Sequence, residues 1–268
     1  MNKTIRTRLD KLILAIDGLN LKDSKSAISK EMQHLKDVYS INYATKVSTI
    51  YKKELGLIDE RLQRSATVGK IELRKRKANQ KKGLIKRASN KKKVINLPIM
   101  IEVAKELLCS DRYTDIASGL ALLTGRRITE ILKTGNFTNY KRSKYMLNFD
   151  GQLKKKGENE RYPLYALFNT AKDCKIALGR IRLILDTKKM TNEDVSRKYN
   201  KAVNSRVMLH FSPFIGRCSA HDLRAVYAAV CSREYRPIEI DENVFFSGLL
   251  GHNSDDIETA NSYKKYIL

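Results

Sequence analysis

The sequence predicts a mainly α fold with a small antiparallel β element, an α+β chain whose helical N-terminal region precedes a mixed C-terminal one. Three observations carry this. Apolar residues recur at helical spacing from residue 5 onward, without strand-like alternation before residue 94. Two short runs, Tyr145–Phe149 and Arg161–Tyr165, read as strands around Lys- and Gly-rich connections. Helical spacing then returns towards the C-terminus.

Residues 5–16, IRTRLDKLILAI, form the first helical pattern and stop at Asp17-Gly18. A second begins near Ser24 and runs through Ile28, Met32, Leu35 and Tyr39, and a third covers 45–63 with Val47, Ile50, Tyr51, Leu55 and Ile58. The stretch 74–93, RKRKANQKKGLIKRASNKKK, holds eleven Lys or Arg among its twenty residues and no acidic residue. Asn96-Leu97-Pro98 opens a new helix. The expected domains are therefore 1–93, helical and ending in a basic linker, and 94–268. Within the second, helices are expected at about 98–110, 113–134, 169–186, 221–233, 242–250 and 255–266. No internal repeat is present.

The formal charge of +24, from 53 basic and 29 acidic residues, predicts a polyanion partner, nucleic acid ahead of an anionic membrane. No apolar run approaches membrane-spanning length, and MNKTIRTRLDKL lacks the apolar stretch of a secretory signal. Cys109, Cys174, Cys218 and Cys231 form no C-x-x-C pair and point to reduced thiols. With four histidines, no Walker-type loop and no DxDxD cluster, no metal, ATP or other cofactor is expected. A solvated basic run is commonly a flexible linker. Laid along a duplex, it brings Arg74, Lys75, Arg76, Lys77, Lys81, Lys82, Lys86 and Arg87 to phosphates. If six to eight charges engage, log K falls with log salt at a slope of roughly −5 to −7. Such contacts add affinity without reading sequence.

Residues 122–132, LLTGRRITEIL, place two adjacent arginines inside an apolar helical run. Cations at a helix start oppose its dipole, and a buried arginine needs a partner, so something must hold Arg126 and Arg127. Three further stretches concentrate similar chemistry: GQLKKKG at 151–157, HDLR at 221–224 and LGHNSDDIETANSY at 250–263. Each is weak alone; their order and joint occurrence are specific.

Together with TGRRITE at 124–130, these motifs make the last 150 or so residues resemble the catalytic domain of the tyrosine recombinases, and within them the telomere resolvases (protelomerases), which make hairpin DNA ends. The resemblance does not extend by motif into the N-terminal helices. It implies that Arg127 and Arg224 are the paired arginines and that Glu130 fixes Arg127. The β-hairpin lysine falls on Lys154, with Lys155 and Lys156 as competitors. His221, His252 and the nucleophile Tyr263 complete the set. Tyr266, three residues on, is an alternative nucleophile. Arg126 is assigned to a flanking phosphate or an acidic neighbour, and Lys155 and Lys156 to DNA.

The residue chemistry is consistent with that set. Phosphodiester cleavage without metal needs cations on the non-bridging oxygens, and arginine supplies a flat fork that keeps its proton. Tyrosine attack conserves the bond energy as a 3′-phosphotyrosine. His221 is read as taking the phenolic proton, His252 as donating to phosphate, and the lysine as protonating the leaving 5′ oxygen. The implied partner is double-stranded DNA with an inverted-repeat site, bound by a dimer, in the cytoplasm of a bacterial or phage-infected cell. Rival readings are a site-specific tyrosine integrase or recombinase, a type IB topoisomerase and a catalytically inactive basic DNA-binding protein. Five residues follow Tyr263, where relatives usually continue, so the chain is expected to be either a compact member or a truncated one.

Overall fold

A computed structural model describes residues 3–153, 161–251 and 261–268 of the chain. The chain divides into two compact units, Met1–Gly83 and Leu84–Leu268.

The described part of the first unit is helical: α1 (Lys3–Ile16), α2 (Leu21–Val38), α3 (Ile41–Ile58), a 3₁₀ stretch (Glu60–Ala66) and the beginning of α4 (Lys70–Ser89). Polar caps set the starts of α2 and α3. The Asn20 side chain accepts from Asp23 N at 3.0 Å and Ser40 Oγ from Tyr43 N at 3.3 Å, each satisfying an amide the helix leaves open. Ile5, Leu9, Ile28, Leu35, Val47 and Leu55 are fully buried in one core. At its edge Glu31 Oε1 accepts from Arg8 Nη1 at 3.1 Å and from Tyr51 Oη at 3.4 Å.

The basic run is helical through Ser89, and the two units part at Gly83/Leu84, inside the run rather than after it. Lys, Arg, Gln and Ala are good helix formers, and no proline interrupts them. Arg74, Lys75, Lys77, Lys81 and Lys82 are exposed and Arg76 is half-buried, while the side chains of Lys86 and Arg87 lie outside the described set.

The second unit continues with β1 (Lys92–Lys93), α5 (Leu97–Leu108), α6 (Tyr113–Thr124), a π turn (Glu130–Thr134), β2 (Asn136–Asn139), β3 (Met146–Asp150) and β4 (Tyr162–Tyr165). A short 3₁₀ turn (Leu167–Asn169), α7 (Ala171–Ile184), α8 (Asn192–Ile215), α9 (Ala220–Tyr235), α10 (Glu242–Leu250) and β5 (Tyr266–Ile267) follow. Its central element is α6, buried from Asp115 to Thr124 and packed against α5, α7, α8 and α9. Gly119 lets α5 approach, since a Cβ there would stand 2.6 Å from the Ala104 carbonyl. The antiparallel sheet has the order β2-β3-β4, with Phe137 opposite Phe149 and Phe149 opposite Tyr162. These aromatic pairs bind its strands through one face, with ring centroids 5.7 and 5.6 Å apart.

Four expectations change. The helix expected over 113–134 ends at Thr124, because Gly125 adopts φ 64° and a π turn follows at Glu130. Residues 262–265 are turn and 266–267 are strand, not the end of a helix over 255–266, and 252–260 lie outside the described residues. A third strand, β2, joins the expected pair. The longest of the described helices, α8, occupies a stretch to which the sequence reading assigned nothing. Among the described residues no helix is long and apolar enough to cross a membrane.

Candidate active site

The site grows from the C-terminal end of α6. Gly125 caps that helix in the left-handed region, where any side chain is strained, and a Cβ would collide with the Tyr227 ring. The turn it creates sends the two arginines to different places.

Arg126 goes inward and is fully buried. Its Nε donates to Thr124 O at 3.2 Å, Nη2 to Leu249 O at 3.1 Å and Nη1 to the Tyr162 hydroxyl, while its guanidinium carbon lies 4.9 Å from the Phe149 ring centroid. The expected DNA contact is therefore corrected: Arg126 offers no surface to a phosphate and instead braces the ends of α6 and α10. Burial opposes its charge, but Tyr162 and Glu130 more than compensate and keep the guanidinium above its ordinary range.

Arg127 goes outward and is half-buried. Glu130, fully buried, accepts from Arg127 Nη1 at 2.7 Å and from Arg127 N at 2.9 Å, the tether expected from the three-residue spacing. The same carboxylate accepts from Leu153 N at 3.2 Å. Burial pushes Glu130 up, yet Arg126, Arg224 and Arg127 outweigh it and hold the carboxyl below the usual range. Behind it Arg182 Nη2 donates to Glu130 O at 3.2 Å and Gly135 O at 2.9 Å, holding both ends of the π turn.

His221 and Arg224 occupy the first turns of α9. Ser219 and Asp222 form a reciprocal capping box there, with Ser219 N and Oγ donating to Asp222 Oδ2 at 3.0 and 2.7 Å. Arg224 is 1% exposed. Its Nη1 donates to Gly125 O, Nη2 to Leu250 O at 2.8 Å and Nε to the Tyr263 hydroxyl at 3.3 Å. Carbonyls at the C-terminal ends of α6 and α10 thus receive both buried arginines, where the helix dipoles favour cations. Burial, then Arg126 and Arg127, pull Arg224 down to about 10.

Tyr263 is buried, and its ring stands 5.3 Å from that of His221. Enclosure by protein, followed by the Lys265, Arg224 and Arg127 cations, holds His221 below the ordinary histidine range against a smaller pull from Asp222. The neutral imidazole, the form that can accept a proton, is thereby favoured. Lys265 Nζ donates to Asp222 Oδ1 at 3.4 Å, tying the tyrosine segment to α9. The segment is also held by β5, which pairs in parallel with β1, with Lys92 N donating to Lys265 O and Val94 N to Ile267 O, both at 2.8 Å. Tyr266 is buried within that pairing, where burial and the Asp222 carboxylate raise its phenol, so the tyrosine at Arg224 is Tyr263.

Arg127, His221, Arg224 and Tyr263 therefore come together from three separate elements. Lys154, Lys155, Lys156 and His252 lie outside the described residues. Their neighbours do not: Gln152 Nε2 donates to Gly251 O, and Leu153 O accepts from Arg127 Nη1 at 3.4 Å. Sequence reasoning missed Gln152, Tyr162 and Arg182. Gln152 stood inside the quoted GQLKKKG stretch, whereas nothing local marked Arg182. Chemically, three arginines surround one buried carboxylate beside a tyrosine hydroxyl, among the described residues an excess of positive charge suited to an oxyanion.

Comparison with known proteins gives the family and the fold. The family described as the telomere resolvase ResT/TelK catalytic domain matches residues 90–266. The protelomerase of Klebsiella oxytoca phage phiKO2 is 31% identical over 197 residues, covering 65% of this chain and 29% of that protein. Telomere resolvase ResT of Borreliella burgdorferi is 27% identical over 185 residues, covering 65% of this chain and 39% of that one. The chain thus spans well under half the length of these relatives. Protelomerase TelA, solved covalently complexed with substrate DNA, has a similar fold, with a TM-score of 0.84 at 21% identity over 100% of this chain and 89% of that one.

Proposed function

The chain belongs to the telomere resolvase family, whose catalytic domain matches residues 90–266, and from that premise we propose that it cleaves and rejoins DNA to form covalently closed hairpin ends. The observation that carries this reading is the pair of half-buried Arg127 and buried Arg224 beside the carboxylate of Glu130, with the Tyr263 hydroxyl on Arg224 Nε. Among the described residues the charge of these arginines exceeds that of Glu130, and a scissile phosphate supplies a further anion.

Arg127 and Arg224 hold the non-bridging oxygens as negative charge develops. The phosphate takes Arg224 Nε from Tyr263, whose oxygen attacks phosphorus. The phenolic proton passes to neutral His221, the P–O5′ bond breaks, and a lysine among Lys154, Lys155 and Lys156 protonates the leaving oxygen. The products are a 3′-phosphotyrosine and a 5′ hydroxyl, with His252 donating to the phosphate. Two protomers on an inverted repeat cut opposite strands, and each 5′ hydroxyl attacks the phosphotyrosine of the other strand. The reaction uses side chains alone, without metal or ATP. The exposed cations of α4, Arg74, Lys75, Lys77, Lys81 and Lys82, contribute salt-dependent affinity.

The test is a library of labelled inverted-repeat duplexes incubated with protein in a chelator without ATP, then run on denaturing gels before and after protease. Wild type and Tyr266→Phe should form a protease-sensitive adduct and snap-back hairpins, and Tyr263→Phe should form neither. An adduct that persists in Tyr263→Phe refutes the nucleophile, and recombinant products in place of hairpins refute the resolvase reading.

A further inference from the structure

The connection from β3 towards β4, in which the three lysines follow one another, leaves its strand under unusual restraint. Gly151 turns the chain at φ 82°, pressed so closely on the Thr134 carbonyl that no Cβ fits. Gln152 Nε2 donates to Gly251 O, and Gln152 Oε1 is buried with no partner among the described residues. Leu153 N donates to Glu130 and Leu153 O accepts from Arg127. Three consecutive residues are thus fixed to three places: the π-turn end, the cap of α10 and the arginine clamp. Gly251 is shaped for this contact. It sits at φ 65°, and a Cβ there would meet the Gln152 amide and stand 2.7 Å from the Tyr162 hydroxyl. Tyr162, on the returning strand, is itself bonded to Arg126.

A surface connection that only gripped DNA would need none of this, since connecting segments ordinarily run free over the surface. Side chains that deliver a proton, by contrast, must be placed to a fraction of an ångström by partners that do not themselves react. Resting on the function proposed above, we propose that Gln152 is a positioning residue for proton delivery to the leaving 5′ oxygen. It fixes the departure point of the lysine-bearing connection against Gly251, the residue before His252. The step it serves breaks P–O5′ and forms P–O of Tyr263, the proton passing from a lysine ammonium to O5′ to leave a neutral amine and a 5′ hydroxyl. When sulfur replaces the bridging 5′ oxygen, the thiolate departs without a proton, and the positioning ceases to matter.

The experiment compares wild type, Gln152→Ala, Gln152→Glu and single Lys154→Ala, Lys155→Ala and Lys156→Ala proteins. Their substrates are two versions of the duplex that wild type cleaves, one natural and one with a 5′-bridging phosphorothiolate. Circular dichroism confirms folding, and salt-dependent binding confirms an unchanged clamp. On natural DNA both Gln152 variants should cleave up to about 10²-fold more slowly, the scale of an ångström's misplacement. On the sulfur substrate they should match wild type, as should the variant of the lysine that acts as acid. Equal deficits on both substrates, or no deficit on natural DNA, overturn the role of Gln152. Should wild type cleave while no lysine variant recovers on sulfur, the lysine reading fails and this inference with it. Wild type that cleaves none of the library duplexes from which these substrates are drawn refutes the enzyme reading itself.

Discussion

Glu130→Gln keeps the size of the side chain and removes the one negative charge that, among the described residues, stands among three arginines. The carboxylate is fully buried and accepts from Arg127 N, Arg127 Nη1 and Leu153 N at 2.9, 2.7 and 3.2 Å. Donors face both of its oxygens, so whichever way the glutamine amide turns, its NH₂ group confronts an N–H. Removing one partner from a buried ion cluster costs about 3–5 kcal/mol. For a unit the size of Leu84–Leu268, each kcal/mol moves the midpoint by roughly 2–4 °C, so a fall of roughly 6–20 °C is expected at pH 7. Thermal unfolding followed by circular dichroism measures it. Glu130 has a folded pKa below its unfolded value, so its contribution is full above the unfolded carboxylate value, about 4.3. It is lost as pH falls through the folded value, and the gap between variant and wild type should close in that acid window. Inorganic phosphate at constant ionic strength should also narrow the gap at pH 7, because an anion settles among the uncompensated arginines. A gap below about 1 kcal/mol, the worth of an ordinary hydrogen bond, would refute the counter-charge argument, as would a gap indifferent to phosphate.

Arg126→Lys leaves the acceptors Thr124 O, Tyr162 Oη and Leu249 O short of donors, and should destabilise by about 2–4 kcal/mol in chemical denaturation. The salt slope of DNA binding should stay at the wild-type value, since Arg126 meets no phosphate; a shallower slope would restore it to the DNA interface. Lys81→Gln with Lys82→Gln should make that slope shallower by roughly 1.8, two phosphate contacts' worth, in fluorescence anisotropy across a salt series. The neutral form of His221 is favoured by its surroundings, so the acid limb of cleavage should fall below the ordinary histidine range in a pH–rate profile and disappear in His221→Ala. Its pKa is depressed on folding, so the unfolded chain takes up the extra proton first and stability falls as pH drops through that window.

The helices of the first unit were legible because Ile5, Leu9, Ile28 and Leu35 keep the spacing of one buried face. The helix α8 was not, although Val195, Tyr199, Val203, Val207, Phe211 and Ile215 recur every four residues. A stripe one residue wide amid Asn, Ser, Arg and Lys is a faint signal, and Pro213 reads as a stop. Strand β2, NFTN, contributes a single buried residue, Phe137, and owes its form to the strand beside it. At the site, the residue types and their order were readable, but the difference between Arg126 and Arg127 was not. Two neighbouring guanidiniums have the same chemistry; the left-handed turn at Gly125 and the acceptors Tyr162 Oη and Leu249 O decide which is buried. The brace from Gln152 to Gly251 joins residues nearly a hundred positions apart, and no local pattern announces such a contact.

The parallel pairing of Lys92–Lys93 with Tyr266–Ile267 has a consequence in time. Its two strands are separated by about two thirds of the chain. At ribosomal rates of roughly 5–20 residues per second, Tyr266 follows Lys92 by about 9–35 s. Within that interval the segments bearing Arg127 and then Arg224 are made while β1 still has no partner. Contacts between distant parts of a chain also form late in folding, because the long loop must close before they reward it. On the proposed chemistry, a chain still being made can hold DNA before it can cut it, because its nucleophile is made after both arginines.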